Sequence, residues 1–166
     1  TPTRRQRQMC IRDSERTGLA GLSKSLVELE QLKDKARTVQ RGNGNLMDDA
    51  SYKSKVGELE IDLLATEFTE LRSLASAAAG GEPGPESSIL KLKGTEIKQR
   101  IQKLTVEASG IYASAWGDKG AGPSFAKGGT AGYLNSRYFT IYGGASEVQK
   151  DIVAKKVLGL TSSKSK

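Results

Sequence analysis

The sequence predicts an all-α fold, a four-helix up-down bundle with an additional short helix. Three observations predict it. Apolar residues recur at three- and four-residue steps over long stretches, which is the helical period. Clusters of glycine, asparagine and proline punctuate those stretches and do not interrupt them. Aromatic residues make up only 5% of the chain, and no run alternates in the manner of a half-buried strand.

The first helix is expected from about Glu15 to Arg41, because Leu19, Leu22, Leu26, Leu29, Leu32 and Ala36 share one face with Lys, Glu and Ser between them. Gly42-Asn43-Gly44-Asn45 stops it, since these residues tolerate positive φ. A second helix starts at Asp48 or Asp49, where a carboxylate accepts from unpaired N–H groups. Ile61, Leu64, Phe68, Leu71, Ala75 and Ala78 then form a seam about five turns long. Residues 80–85, with three glycines and two prolines, end that helix, and Pro85 suits the first turn of the next. Leu90, Gly94, Ile97, Ile101, Leu104, Ala108 and Ile111 are the third seam. Between Tyr112 and Thr130 the composition turns glycine-rich, with Trp116, Pro123 and Phe125, and reads as a long irregular loop. Tyr133–Tyr142 and Ala145–Leu158 read as two last helices around Gly143-Gly144, before a polar tail at 161–166.

The 166 residues suit one domain. There is no histidine and one cysteine, Cys10, which excludes histidine-based acid/base chemistry, a Ser-His triad, a His- or Cys-built zinc site and an internal disulfide. The net charge is +7, of which +3 falls in residues 1–14 (Arg4, Arg5, Arg7 and Arg12 against Asp13). The remainder is interspersed, and the Lys155-Lys156 pair is too small for a nucleic-acid footprint, so no nucleic-acid partner is expected. Residues 4–14 (RRQRQMCIRDS) resemble translated sequencing-adapter text, and no role is assigned to residues 1–14. No apolar run reaches the ~18 residues of a membrane span; a cytoplasmic setting is expected.

Chemistry concentrates at Ile141-Tyr142-Gly143-Gly144-Ala145-Ser146-Glu147. Two glycines directly before a helix expose its first N–H groups, a geometry that suits a carbonyl oxygen or a phosphate; the same residues also serve as a plain turn with Glu147 in the first helical turn. Residues 133–160 (YLNSRYFTIYGGASEVQKDIVAKKVLGL) resemble the signature that ends the C-terminal helical domain of acyl-CoA dehydrogenases. Residues 84–96 (GPESSILKLKGTE) resemble the third helix of that domain and residues 15–21 (ERTGLAG) its first, so the likeness spans 15–160. Within the family the resemblance points to proteins like the pimeloyl-CoA dehydrogenase large subunits.

The resemblance implies FAD-dependent α,β-dehydrogenation of an acyl-CoA thioester, with electrons passing to an electron-transfer flavoprotein, in a homo- or hetero-oligomer of dehydrogenase subunits. It implies that the backbone N–H of Gly143 steadies charge on the thioester oxygen, with Tyr142, Gly143 and Gly144 beside the substrate and Ala145, Ser146 and Glu147 beside the cofactor. Two departures stand out, the base position and the flavin-gripping runs. Many relatives carry glutamate as catalytic base where this chain has Gly143. The alternative place for the base, in an Asp/Asn-x-Glu-Arg run starting the first helix, is filled here by Glu15. The Arg-Lys-x-Phe-Gly and Gln-x-x-Gly-Gly runs that grip flavin in the family are replaced by Asp34–Thr38 and by Ser109-Gly110-Ile111-Tyr112. Arg137 and Lys150 are lesser candidates for phosphate contacts. A non-catalytic structural subunit is the alternative reading, and the fragment by itself is expected to be inactive.

Overall fold

The computed structural model describes residues 21–80, 84–114 and 121–160. The 1–14 segment, the start of the first predicted helix with Glu15 and Leu19, Trp116 and the 161–166 tail lie outside the described residues. Among the described residues there are five α-helices, α1 (Leu22–Thr38), α2 (Ala50–Ala78), α3 (Glu86–Ser109), α4 (Gly129–Asn135) and α5 (Ser146–Lys156). The fold class expected from periodicity is observed. Short 3-10 turns at Leu46–Asp48, Gly110–Ser114 and Ser136–Thr140 join them.

α3 is the central element, packed against each of the other four helices. Its seam explains this: Leu90, Gly94, Ile97, Ile101, Leu104 and Ala108 are all buried. Each fully buried Leu or Ile contributes about 2 kcal/mol relative to exposure. Ile111, the last residue of the expected seam, is 85% exposed, because the α-helix has ended at Ser109. On α1, Leu22, Leu29, Leu32 and Ala36 are buried as expected, whereas Leu26 lies at the edge of the buried stripe and is partly exposed.

The α2 seam is a correction. The buried face is Tyr52, Val56, Leu59, Leu63 and Thr66, and the expected seam of Ile61, Leu64, Phe68 and Leu71 faces outward. α2 carries two apolar stripes at heptad-like spacing, and only contact with α1 and α3 decides which of them is covered. Tyr52 is fully buried and its hydroxyl donates to the Leu104 carbonyl at 3.2 Å. Burial, then the charge of Glu107, pushes the phenol well above its ordinary value. Ion pairs fix the α2–α3 register from outside: Arg100 with Asp62 and Glu58, and Lys55 with Glu107 at 2.6 Å. Such exposed pairs contribute only about 0–1 kcal/mol each.

The Gly42–Asn45 cluster does more than stop a helix. α1 ends at Thr38, three residues early, and Gln40–Arg41 (β1) pairs antiparallel with Gly44–Asn45 (β2) in a two-residue hairpin, with Gly42 at φ 57° in its turn. No strand was legible there, because four residues are too few for an alternating pattern. Asn45 accepts from the Met47 N–H and Asp48 from the Asn45 N–H, each at 2.9 Å. Asp49 caps α2 as expected and accepts from the Tyr52 N–H at 3.0 Å. The last two expected helices shift as well. The first runs Gly129–Asn135 and tightens into the 3-10 turn, and the second spans Ser146–Lys156.

The Tyr52 N–H, ahead of all other causes, holds the Asp49 carboxyl below its usual range. A depressed carboxyl stabilises the fold above its unfolded value, and that stability is lost as pH falls through the folded value. Asp49→Ala is therefore expected to lower the melting temperature at pH 7 and to lose this deficit below about pH 3.8. Thermal melts of both proteins across pH 2–7 check it.

Candidate functional site

The corner before α5 is built by local backbone rules. Ile141 and Tyr142 both donate their N–H to the Tyr138 carbonyl, at 2.9 and 3.0 Å, closing the 3-10 turn. Gly143 and Gly144 then sit at φ 69° and 100°, left-handed conformations that side chains rarely adopt. Gly144 has a second reason to be glycine, because a Cβ there would overlap the side-chain amide of Gln149. Ala145 is the N-cap of α5 and offers no side-chain oxygen. Gly143 lies inside the backbone turn that Gly144 closes, and among the described residues the Gly143 N–H makes no hydrogen bond.

The corner is anchored to α3. Gln99 donates to the Ser136 carbonyl at 3.0 Å, and the Ser136 hydroxyl donates to the Tyr133 carbonyl at 2.7 Å. Ser146 donates from its hydroxyl to the Thr140 carbonyl at 3.3 Å, so it ties α5 back to the turn it follows. Tyr142 is half exposed. Its ring lies 5.5 Å from Tyr138 and 6.5 Å from Phe139, and the Lys98 ammonium stands 4.5 Å from the Phe139 ring. Tyr142 is thus a wall beside the corner. Arg137 stacks 4.4 Å from Tyr133 on the surface, and Lys150 is exposed.

Beneath the corner lies a polar layer that sequence reasoning missed. Gln149 is completely buried, with neither amide atom hydrogen-bonded, and Lys91 on α3 is 1% exposed with no partner for its ammonium. Neither was legible as a buried residue, because the residue type argues for the surface. Desolvation pulls the Lys91 ammonium below its ordinary value, opposed by the charge of Glu147 in the first turn of α5. An amine with a lowered folded value leaves the unfolded state holding more protons between the two values, so stability rises with pH in that window. Lys91→Met is expected to stabilise the fold by on the order of 1 kcal/mol at pH 7. That gain should shrink as pH approaches 10.5, as urea titrations at pH 7 and pH 10 would show. Gly144→Ala is expected to cost about 2 kcal/mol in the same assay, through left-handed strain and displacement of Gln149.

Tyr142, Gly143, Gly144, Ala145, Ser146 and Glu147 are contiguous at this one corner; Glu15 lies outside the described residues. The two stretches that depart from the family's flavin-gripping runs meet elsewhere. Thr38 and Ser109-Gly110-Ile111-Tyr112 line one cleft of about 360 Å³, closed by Leu46, Glu107 and Phe125. Phe125 is partly buried against the core, so it pins its loop to the bundle. For a flavin nucleotide, the α5 start fits: Ala145 leaves the first-turn N–H groups open, and Glu147 is exposed beside them. The cleft lining supplies one cation, Arg41, which stands 3.9 Å from the Asp49 carboxylate, and so no matching set.

The described residues contain no group of three or more His, Cys, Asp or Glu able to hold a metal ion, and no helix long and apolar enough to cross a membrane. Residues 13–158 match the family described as "Acyl-CoA dehydrogenase, C-terminal domain". The chain belongs to this family. It is 26% identical over 117 residues to the acyl-CoA dehydrogenase FadE34 of Mycobacterium tuberculosis, covering 70% of this chain and 15% of that protein. The butyryl-CoA dehydrogenase of Megasphaera elsdenii superposes with a TM-score of 0.71 at 17% identity, over 89% of this chain and 37% of that one. The ChsE4-ChsE5 complex of Mycobacterium tuberculosis gives 0.67 at 21% identity, over 84% and 36%. These likenesses show the fold. The chain spans little more than a third of the length of either structure.

Proposed function

We propose that this chain is the C-terminal helical domain of a longer FAD-dependent acyl-CoA dehydrogenase that introduces an α,β double bond into an acyl-CoA thioester. The observation that carries this reading is the unengaged N–H of Gly143, held in place by backbone conformation and followed by an uncapped helix start.

The Gly143 N–H donates to the thioester oxygen and stabilises the negative charge that develops there when the α-proton leaves. Glycine has no carboxylate to take that proton, so the role falls to Glu15. Tyr142 and Gly144 border the acyl group, and Ala145, Ser146 and Glu147 meet the cofactor with backbone donors. FAD, when bound, accepts the β-hydrogen as hydride, and an electron-transfer flavoprotein takes the electrons onward in the cytoplasm. Most of the flavin contacts would come from outside this chain, from the same longer protein or from another dehydrogenase subunit.

A second reading has specific support. The missing carboxylate at Gly143 and the replaced flavin runs favour a non-catalytic structural subunit of a heteromeric dehydrogenase. The flavin spectrum of the intact protein and its dye reduction with pimeloyl-CoA and octanoyl-CoA separate the two. Acyl-CoA-dependent bleaching of bound flavin supports catalysis. A flavin-free protein, inert until a second dehydrogenase subunit is added, supports the structural reading.

A further inference from the structure

The peptide between Tyr142 and Gly143 sits between two fixed points. On one side the Tyr138 carbonyl takes the Ile141 and Tyr142 N–H groups, and on the other the Ser146 hydroxyl reaches back to the Thr140 carbonyl. Among the described residues, neither the Tyr142 carbonyl nor the Gly143 N–H makes a hydrogen bond. This peptide is planar and trans, so its carbonyl and its N–H point opposite ways. A Gly143 N–H that faces a substrate therefore requires a Tyr142 carbonyl that faces the protein. Glycine at position 143 lets the plane turn over without a Cβ clash, so the direction has to be set by something else.

Inside the corner are polar atoms with nothing to bond. Gln149 is 0% exposed, and its Nε2 is the atom that lies against Gly144, where a Cβ would otherwise sit. Lys91 comes close enough to the first turn of α5 for the Glu147 charge to act on its ammonium. One turn before it on α3 stands Ser88, equally buried. The Ser88 hydroxyl, the Lys91 ammonium and both Gln149 amide atoms have no hydrogen-bond partner among the described residues.

We propose, resting on the acyl-CoA reading, that Gln149 and Lys91 are positioning residues that hold the Tyr142 carbonyl inward and so aim the Gly143 N–H at the thioester oxygen. An ammonium can only donate, so Lys91 gives one proton to the Gln149 Oε1 and another to the Ser88 hydroxyl. That leaves Nε2 to donate to the Tyr142 carbonyl, and Nε2 is the end the structure turns toward the corner. The cation at the base of this relay polarises each bond above it, which makes the Gly143 N–H a stronger donor to an oxygen gaining negative charge. A lysine is thereby explained at a place where an apolar side chain gives the more stable fold.

Flavin reduction in the intact, FAD-loaded enzyme tests this with Gln149→Leu and Lys91→Met, using whichever of pimeloyl-CoA and octanoyl-CoA bleaches the wild-type flavin. The limiting rate should fall about 10- to 100-fold, less than outright loss of an oxyanion donor costs, while the corresponding enoyl-CoA product still binds. The infrared band of that product's isotope-labelled thioester carbonyl gives a readout without turnover. In the wild type it should lie below its position in water, and in both variants it should move back up. Lys91→Met should show both effects while melting higher than the wild type, which loss of a structural prop would not produce. Should Gln149→Leu fail to fold, Lys91→Met carries the test by itself. A band shifted in the wild type and unmoved in the variants, or an unchanged rate, overturns the positioning role and leaves the acyl-CoA reading standing. If neither acyl-CoA bleaches the flavin, the acyl-CoA reading falls and the positioning role falls with it.

Discussion

Glu15→Gln in the intact enzyme is expected to lower acyl-CoA-dependent flavin reduction by about 10²- to 10⁴-fold, the range a positioned proton acceptor contributes. The amide keeps the size and polarity of the side chain but cannot take a proton at neutral pH. Binding should change little, so the loss falls on kcat and not on KM. The expectation follows from the corner itself, where Gly143 offers an N–H and nothing basic, and the only carboxylate within residues 141–147 is Glu147 on the far side of the turn into α5. A further variant sharpens the test. Adding Gly143→Glu to Glu15→Gln places a carboxylate where many relatives carry it. It should restore part of the rate, limited by the φ of 69° that a side chain would have to tolerate at about 1–3 kcal/mol. Activity indifferent to Glu15→Gln would remove this residue from the chemistry.

The second large effect separates two neighbouring leucines. Leu63→Ala is expected to cost about 2–5 kcal/mol, since it empties a site that is 1% exposed in the core between α2 and its neighbours. Leu64→Ala should cost under about 0.5 kcal/mol at concentrations where the chain is monomeric, because the side chain already faces solvent. Urea titration of both variants at low micromolar protein reads the difference directly. Equal losses would place the buried face of α2 elsewhere.

That pair of residues also marks where sequence reading stopped. The seams of α1 and α3 were legible because each helix has one apolar stripe, and Leu29, Leu32, Leu90, Ile97 and Ile101 are buried as their spacing implies. α2 has two such stripes, so periodicity established a helix without saying which side meets the core. The Asp49 cap was legible from its residue type alone. The hairpin at Gln40–Asn45 was not, since its pairing depends on a turn of two residues and not on a pattern. At the corner, the glycines announced their own backbone. The buried Lys91 and Gln149 were hidden by being polar, and only the packing of α3 against α5 reveals them.

The central place of α3 has a consequence for how the molecule comes apart. Each of the other described helices leans on it and they share few contacts among themselves, so losing α3 strips each of its main support at once. Amide protons in the middle of α3, around Ile97 to Leu104, should exchange with solvent only through complete unfolding, while those of α4 and the far end of α2 exchange through local fraying.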